Sequence, residues 1–270
     1  MKQIKLILLL LLVTSFAYSQ EQGNTEIESE ADKLAKQLQN PIANLISVPF
    51  QANTDFGIGS ADGTRFTMNI QPVIPVSISS EWNLITRVIL PIISQTDVYG
   101  ESGNQTGLGD AVVSGFFSPK APTSGGLIWG VGPVLLVPTG TDNLLGTGKF
   151  GVGPTAVALK QVGTFTVGAL VNHVWSVAGA SDRVDVNNTF LQPFISKNFK
   201  GGYSLSLNTE LTQSWDHDST NGTINMFGAK VLKIGKQPAQ IAVGPRIPYG
   251  NGNTAEWGFR AQFILMFPKG

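Results

Sequence analysis

His173 and His217 are the only histidines in 270 residues, and cysteine is absent. Without thiols there is no Cys-based zinc site, thiol nucleophile or disulfide, and two such distant histidines do not constitute a zinc site. Ser176 follows His173 by an odd number of positions. In an extended strand that spacing puts the two side chains on opposite faces, so they cannot form a nucleophile–base pair without help from elsewhere. Asp216-His217-Asp218 is the better arrangement for orienting a water, as a hydrolase requires. A solvated acidic loop explains the same three residues, because no second carboxylate pair can be placed beside them. Acidic loop clusters hold divalent cations only weakly, and no glycine-rich phosphate-binding pattern opens a helix after a strand. The chain therefore reads as a non-enzyme, with no catalytic residue, no metal site and no cofactor. Eighteen basic residues balance eighteen acidic ones, so the electrostatic attraction that drives nucleic-acid binding is missing.

The remaining chemistry lies in charged and amide side chains set singly into apolar, alternating segments. In 65–78, Arg65, Thr67, Asn69, Gln71, Val73 and Pro75 alternate with Phe66, Met68, Ile70, Pro72, Ile74 and Val76. Ser204, Ser206, Asn208 and Glu210 likewise alternate with Tyr203, Leu205 and Leu207, and Arg260 and Gln262 alternate with Phe259, Ala261 and Phe263. This period of two begins near residue 44 and recurs in twelve segments: 45–56, 64–78, 81–93, 107–118, 125–137, 148–160, 163–177, 187–198, 202–215, 222–233, 237–249 and 255–267. The segments are longer than typical soluble strands and suit a tilted bilayer crossing. Short connections alternate with long ones such as 94–106, 138–147, 178–186 and 216–221. Trp82, Phe165, Tyr203 and Phe267 fall at the short-turn ends, and Trp175, Trp215, Tyr249 and Trp257 at the long-loop ends, forming two aromatic girdles. Lysines such as Lys120, Lys160, Lys200 and Lys236 gather at the short turns, whereas Asp55, Asp62, Asp97, Glu101, Asp142 and Asp182 gather at the long loops. These features specify an all-β, transmembrane antiparallel β-barrel of about 12 strands, preceded by a short N-terminal helical segment.

Lys2 and Lys5, the apolar run 6–13 and Ala17-Tyr18-Ser19 form a secretory signal peptide over residues 1–19. Residues 20–43 carry Ile27, Ala31, Leu34 and Leu38 at helical spacing before Pro41. That segment is either a solvated periplasmic helix or a plug-like one. Residues 44–270 form the barrel, placed in the cell outer membrane with lipids and the barrel-assembly machinery as partners.

Gly107-Leu108-Gly109-Asp110, Val137-Pro138-Thr139-Gly140 and Gly146-Thr147-Gly148-Lys149 with Gly153-Pro154 resemble, in that order, the outer-membrane barrels associated with the MetA pathway of phenol degradation. Residues 40–50 and 169–179 are similar, more narrowly, to transporter-like members from gram-negative marine or soil bacteria. The resemblance implies a barrel and uptake of small solutes, aromatic or hydrophobic ones among them. It supplies no catalytic residue.

The inward phase selects Arg65, Asn69, Gln71, Arg87, Glu210, Lys230, Arg246 and Arg260 as lumen-lining candidates. Five cations against one carboxylate favour anionic or electron-rich solutes, while a salt-bridge layer would need the same residues for structure alone. Gly115, Gly130, Gly132, Gly151, Gly153, Gly168 and Gly244 are read as inward and as leaving open space. Pro72, Pro133, Pro154, Pro193 and Pro245 are read as bulge sites on the lipid face. The function expected is a passive channel for a small-molecule solute. The alternatives are a non-conducting structural or surface-interaction barrel, and, less favoured, a rim hydrolase.

Overall fold

The computed structural model describes residues 29–99, 103–252 and 255–268. The signal-peptide expectation, Ile27 and Glu101 lie outside them. Among the described residues one helix, α1 (Glu30–Leu38), precedes β1 (Ile46–Ile58), β2 (Gly63–Ile70), β3 (Val73–Ser77), β4 (Trp82–Thr96), β5 (Asn104–Leu108), β6 (Ala111–Pro119) and β7 (Leu127–Val137). There follow β8 (Lys149–Val162), β9 (Phe165–Gly179), β10 (Asn187–Phe199), β11 (Tyr203–Ser214), β12 (Ser219–Ile234), β13 (Gln237–Gly250) and β14 (Trp257–Phe267).

All pairings are antiparallel, and β14 returns to pair with β1 from Ile46↔Phe267 to Phe56↔Trp257. β2 and β3 are two parts of one stave, both pairing with β1 and β4, and β5 and β6 are two parts of another, both pairing with β4. The molecule is thus a closed twelve-stranded antiparallel barrel. Closure leaves no unpaired sheet edge, which is what a bilayer demands of a β structure.

Alternation sorts the side chains as the period of two requires. Leu205, Leu207, Ile241, Val243, Phe259 and Phe267 are exposed on the outer face, an apolar belt abnormal for a water-soluble surface. Ser204, Ser206, Asn208, Arg246 and Arg260 are buried on the inner face. The two aromatic rows also face outward, among them Phe165 and Tyr203 at one rim and Trp175, Trp215 and Trp257 at the other. The alternation of connections is less regular than expected. Residues 120–126 on the short-turn side outnumber 215–218 on the opposite side, where a long loop was expected.

The in-strand prolines face outward, but none makes a bulge. Register is unchanged across Pro72, Pro133, Pro154, Pro193 and Pro245. What changes is the donor. A Cβ built on Gly153 would lie 1.6 Å from His173 O, on Gly132 1.9 Å from Gly115 O, and on Gly244 1.9 Å from Met226 O. In each case the strand opposite the proline turns its carbonyl onto the Cα of the preceding glycine. A Cα–H contact there replaces part of the missing N–H bond. Register does shift at Asp55/Ile58, at Phe150/Gly151, and between the β5 and β6 pairings with β4 around Gly109-Asp110, all near the long-loop rim.

Helix α1 lies against the inner wall at the short-turn end. Ser29 caps it, its hydroxyl accepting from the Asp32 N–H at 3.2 Å and donating to Asp32 Oδ2 at 2.7 Å. Its apolar side, Ala31, Leu34, Ala35 and Leu38, packs with Leu45 on inward Val231, Ile264 and Met266. After the helix, Asn40 Oδ1 accepts from the Ile42 N–H at 3.0 Å, and Ile42 enters a second cluster with Ile85, Phe116, Val157, Leu159 and Leu170. With a third cluster of Val134, Val174 and Val186, these two form the core, inside the barrel.

Candidate functional site

Three cavities follow one another down the lumen. The outer one, of about 740 Å³, opens among the long loops and includes Arg65, Gln95, Tyr99, Asp182 and Asn188. It shares Leu136, Val186 and Asn188 with a mid-barrel chamber of about 340 Å³. That chamber shares Gln51, Gln71, Arg87, Leu170 and Gln192 with a third space of about 200 Å³, whose floor is residues 37–41 and Ala43 of the N-terminal segment. A waist carrying Arg87 therefore divides the path.

The outer mouth is shaped by a clamp built from the family-like motifs. Asp110 accepts from Gly140 N at 3.0 Å and from both the N–H and the hydroxyl of Thr147 at 2.6 Å. The Thr139 hydroxyl donates to Gly109 O at 2.7 Å, and the Thr141 hydroxyl accepts from Leu108 N at 2.9 Å. Arg183 donates to the carbonyls of Asn143, Gly146 and Thr147 at 2.6–3.2 Å. Residues 138–148 are thereby folded onto the rim instead of projecting freely. At the same mouth, buried Lys149 pairs with Asp185 at 2.9 Å. This bond and the Ser176 hydroxyl hold the Asp185 carboxyl below its usual range.

Below the vestibule two arginines are paired with two carboxylates. Arg260 makes a bidentate pair with Glu210, at 2.8 and 2.9 Å, and donates through Nε to Asn53 Oδ1 at 2.7 Å. Arg246 meets Asp55 at 3.0 Å and Asn53 and Asn225 at 3.1 Å, with Glu210 3.6 Å away. Asn225 donates to Asn208 at 2.8 Å. Missing side chains allow these meetings. Arg246 on β13 and Asp55 on β1 are separated by β14, where Gly258 is in register with both. A Cβ on Gly258 would stand 2.3 Å from Asp55 Oδ1. Gly244 likewise lies directly opposite Arg260 and keeps the wall low beneath it.

Of the eight residues selected from sequence, Arg246, Arg260 and Glu210 converge in this network, and Gln71 and Arg87 meet at the waist through a 2.8 Å bond. Asn69 lines the chamber, and Arg65 sits at the mouth bonded to Gln95 at 2.9 Å. Lys230 is a correction. It pairs with outward Tyr203 and Ile241 in the register, places its ammonium 3.6 Å from the centre of the Tyr203 ring and bonds the Gly201 carbonyl. A long side chain at a membrane rim reaches back to the polar turn in this way. Gly115 is a second correction, since it shares the outer face with Phe117 while Ser114 and Phe116 are buried. Nor do the inward glycines simply leave space. Gly130 makes room for Phe116 and Ile42, and Gly168 for Phe194.

Asp55, assigned to the rim from its charge, is the second carboxylate of the network. Its parity with Gln51 and Asn53 on β1 is the available signal. His173 and Ser176 lie apart as the spacing required: His173 Nδ1 meets the Thr189 hydroxyl at 2.7 Å, and Ser176 donates to Asp185 at 3.1 Å. Asp216 accepts from Asn187 at 2.9 Å.

No protein-family model and no curated protein matches the chain. Among solved structures, the COG4313 outer membrane channel from Pseudomonas putida F1 is similar with a TM-score of 0.65 at 16% identity, over 92% of this chain and 100% of that one. The outer membrane phospholipase of Salmonella typhi aligns over 90% of this chain and 99% of that one at 10% identity, with a TM-score of only 0.45. The Bordetella autotransporter BrkA β domain gives 0.44 at 13% identity over 83% of this chain and 100% of that one. The chain has the fold of a twelve-stranded outer-membrane β-barrel.

Proposed function

We propose that the protein is a passive outer-membrane channel for small solutes, restrained at its short-turn end by residues 29–45. The observation that carries this reading is the run of three cavities, sharing lining residues from the outer mouth to the N-terminal segment. A filled barrel would close that run with bulky inward side chains. The resemblance to barrels of the phenol-degradation group adds aromatic or hydrophobic solutes to the expected range. Outer-membrane lipids and the barrel-assembly machinery are the partners such a chain requires. The paired charges favour a second reading, a non-conducting structural barrel, because a salt-bridge layer implies no transport.

Single-channel recording in planar bilayers separates the two. The channel reading expects small unitary currents from the intact chain and larger ones after deletion of residues 21–43. A barrel that stays folded and silent in both forms is structural.

A further inference from the structure

The lumen's charge balance follows from its contacts. Arg246 and Arg260 are matched by Asp55 and Glu210, which leaves Arg87 as the cation at the waist with no ion-pair partner among the described residues. Its bond there goes to a neutral amide, from the second terminal guanidinium nitrogen to Gln71 Oε1 at 2.8 Å. A guanidinium fork offers five N–H donors, so most of its donor capacity faces the two cavities it lines. Gln51 and Gln192 line the same waist and supply further amide donors.

The mid-barrel chamber above is two-sided. Ile89, Val112, Leu136, Leu170, Val174 and Phe190 make an apolar wall, and Arg87 lies at the base with Asn69 and Gln71. Its 340 Å³ would take about eleven waters at the ~30 Å³ each occupies in the liquid, or one compact solute of roughly ten heavy atoms. Water alone gains little from the apolar wall, and an apolar solute alone leaves Arg87 with only Glu210, already bonded to Arg260, as a more distant counter-charge.

We propose that this chamber is a binding site for small amphipathic monoanions, such as compact aromatic carboxylates. The carboxylate is seated on Arg87, and the ring lies against the apolar wall. This rests on the lumen being a solute path and names the class of solute that the path retains. A planar carboxylate meets a guanidinium through two parallel hydrogen bonds. Glu210 also lines the chamber and acts on Arg87 through its charge, but its oxygens are bonded to Arg260, so it leaves the Arg87 fork free to hydrogen-bond a solute. A cationic solute finds no free carboxylate there, and a polyol, although Ser114, Asn172, Asn188 and Thr212 also line the chamber, leaves the apolar wall uncovered.

The test is equilibrium dialysis of the chain in lipid nanodiscs against radiolabelled benzoate, with benzyl alcohol and benzylammonium as competitors. Saturable benzoate binding is expected, with benzyl alcohol at least tenfold weaker and benzylammonium not competing. Arg87→Gln is expected to weaken benzoate at least tenfold, with Arg87→Lys intermediate. Val112→Phe keeps Arg87 but fills the chamber, and is expected to abolish binding in a barrel that still shifts on unboiled gels. Equal binding of benzoate and benzyl alcohol, or undiminished binding in either the Arg87→Gln or the Val112→Phe barrel, overturns the proposal. Because dialysis reads equilibrium, its outcome is separable from conductance. Currents without saturable benzoate binding overturn this inference alone, and benzoate binding in a barrel that never conducts overturns the channel reading alone.

Discussion

Removing one charge from the lumen network should do more damage than removing two. Glu210 is 23% exposed at its side chain and Arg260 is 4% exposed, and they share two hydrogen bonds of 2.8 and 2.9 Å. Glu210→Gln leaves Arg260 with Asn53 as a neutral acceptor and leaves two arginines facing the single carboxylate of Asp55. Orphaning one partner of a buried pair costs about 3–5 kcal/mol. The adjoining cavities admit water, which sets the expectation at the low end, about 3 kcal/mol. Arg260→Gln leaves Glu210 with Arg246 at 3.6 Å and Gln192 at 3.4 Å, so about 2 kcal/mol is expected. The double variant keeps the Arg246–Asp55 pair intact and removes both orphans. It should lose only about 1–2 kcal/mol, a coupling of about 3 kcal/mol against additivity. Equilibrium urea unfolding in phosphatidylcholine vesicles, followed by tryptophan fluorescence, reads these differences. Moderate salt should leave the coupling almost unchanged, since buried pairs are weakly screened. If the double variant loses the sum of the singles within about 0.5 kcal/mol, the two residues are not a pair and the network reading is wrong.

Gly244→Ala should destabilise the barrel by about 1–3 kcal/mol, because its Cβ would enter the Met226 carbonyl, whereas Gly228→Ala, with nothing within 4 Å, should be near neutral; equal effects in the same unfolding assay would remove the role given to glycine before proline. Asp110→Ala breaks the bonds to Gly140 and Thr147 and should expose residues 138–148 to external protease while the barrel core stays resistant. At Asp32, burial, which would raise the carboxyl, is outweighed by hydrogen bonds from Ser29 and Gly202, so its pKa lies below the ordinary value. Its contribution to helix docking is therefore full above about pH 4 and fades as pH falls through the lowered value. Protection of the Gly202 amide, which donates to Asp32 at 2.6 Å, should persist from pH 8 to about pH 4; loss near pH 6 would contradict this assignment.

The strands were legible because a bilayer and a lumen impose opposite chemistry on alternate residues. The misassignments cluster where that contrast fails. On β12, Ile224 and Met226 share the outer face with Lys230, while Phe227, Ala229 and Val231 share the inner one. The inner wall is apolar there because α1 covers it. A rule that inward means polar therefore turns Lys230 to the wrong face, and Gly115 fails for the same reason beside inward Phe116, which packs with Ile42. Asp55 was hidden by a different effect. Its position near a rim agreed with the acidic bias of the loops, and only its parity with Asn53 pointed inward. The meetings of Arg246 with Asp55 and of Arg260 with Glu210 join residues two or more strands apart, which periodicity along one strand does not report.

The same geometry bears on what detaching the N-terminal segment would cost the barrel. Residues Asp32 and Gln39 hold it to the wall through Gly202, Ser204 and Ser206, and Lys233–Glu30 is an exposed pair of the kind that contributes little. Leu34, Ile42 and Leu45 supply the buried apolar contacts. Barrel closure begins one residue later, at Ile46↔Phe267, and depends on the β1–β14 ladder rather than on α1. Detaching α1 therefore opens a local unit while the closed ladder stays intact, the pattern expected of a subglobal opening. Leu45 belongs to both parts, since it packs with α1 and directly precedes the closing strand. Release that ends before Leu45 leaves the hinge anchored, so that departure of the segment widens the short-turn end without loosening the seam.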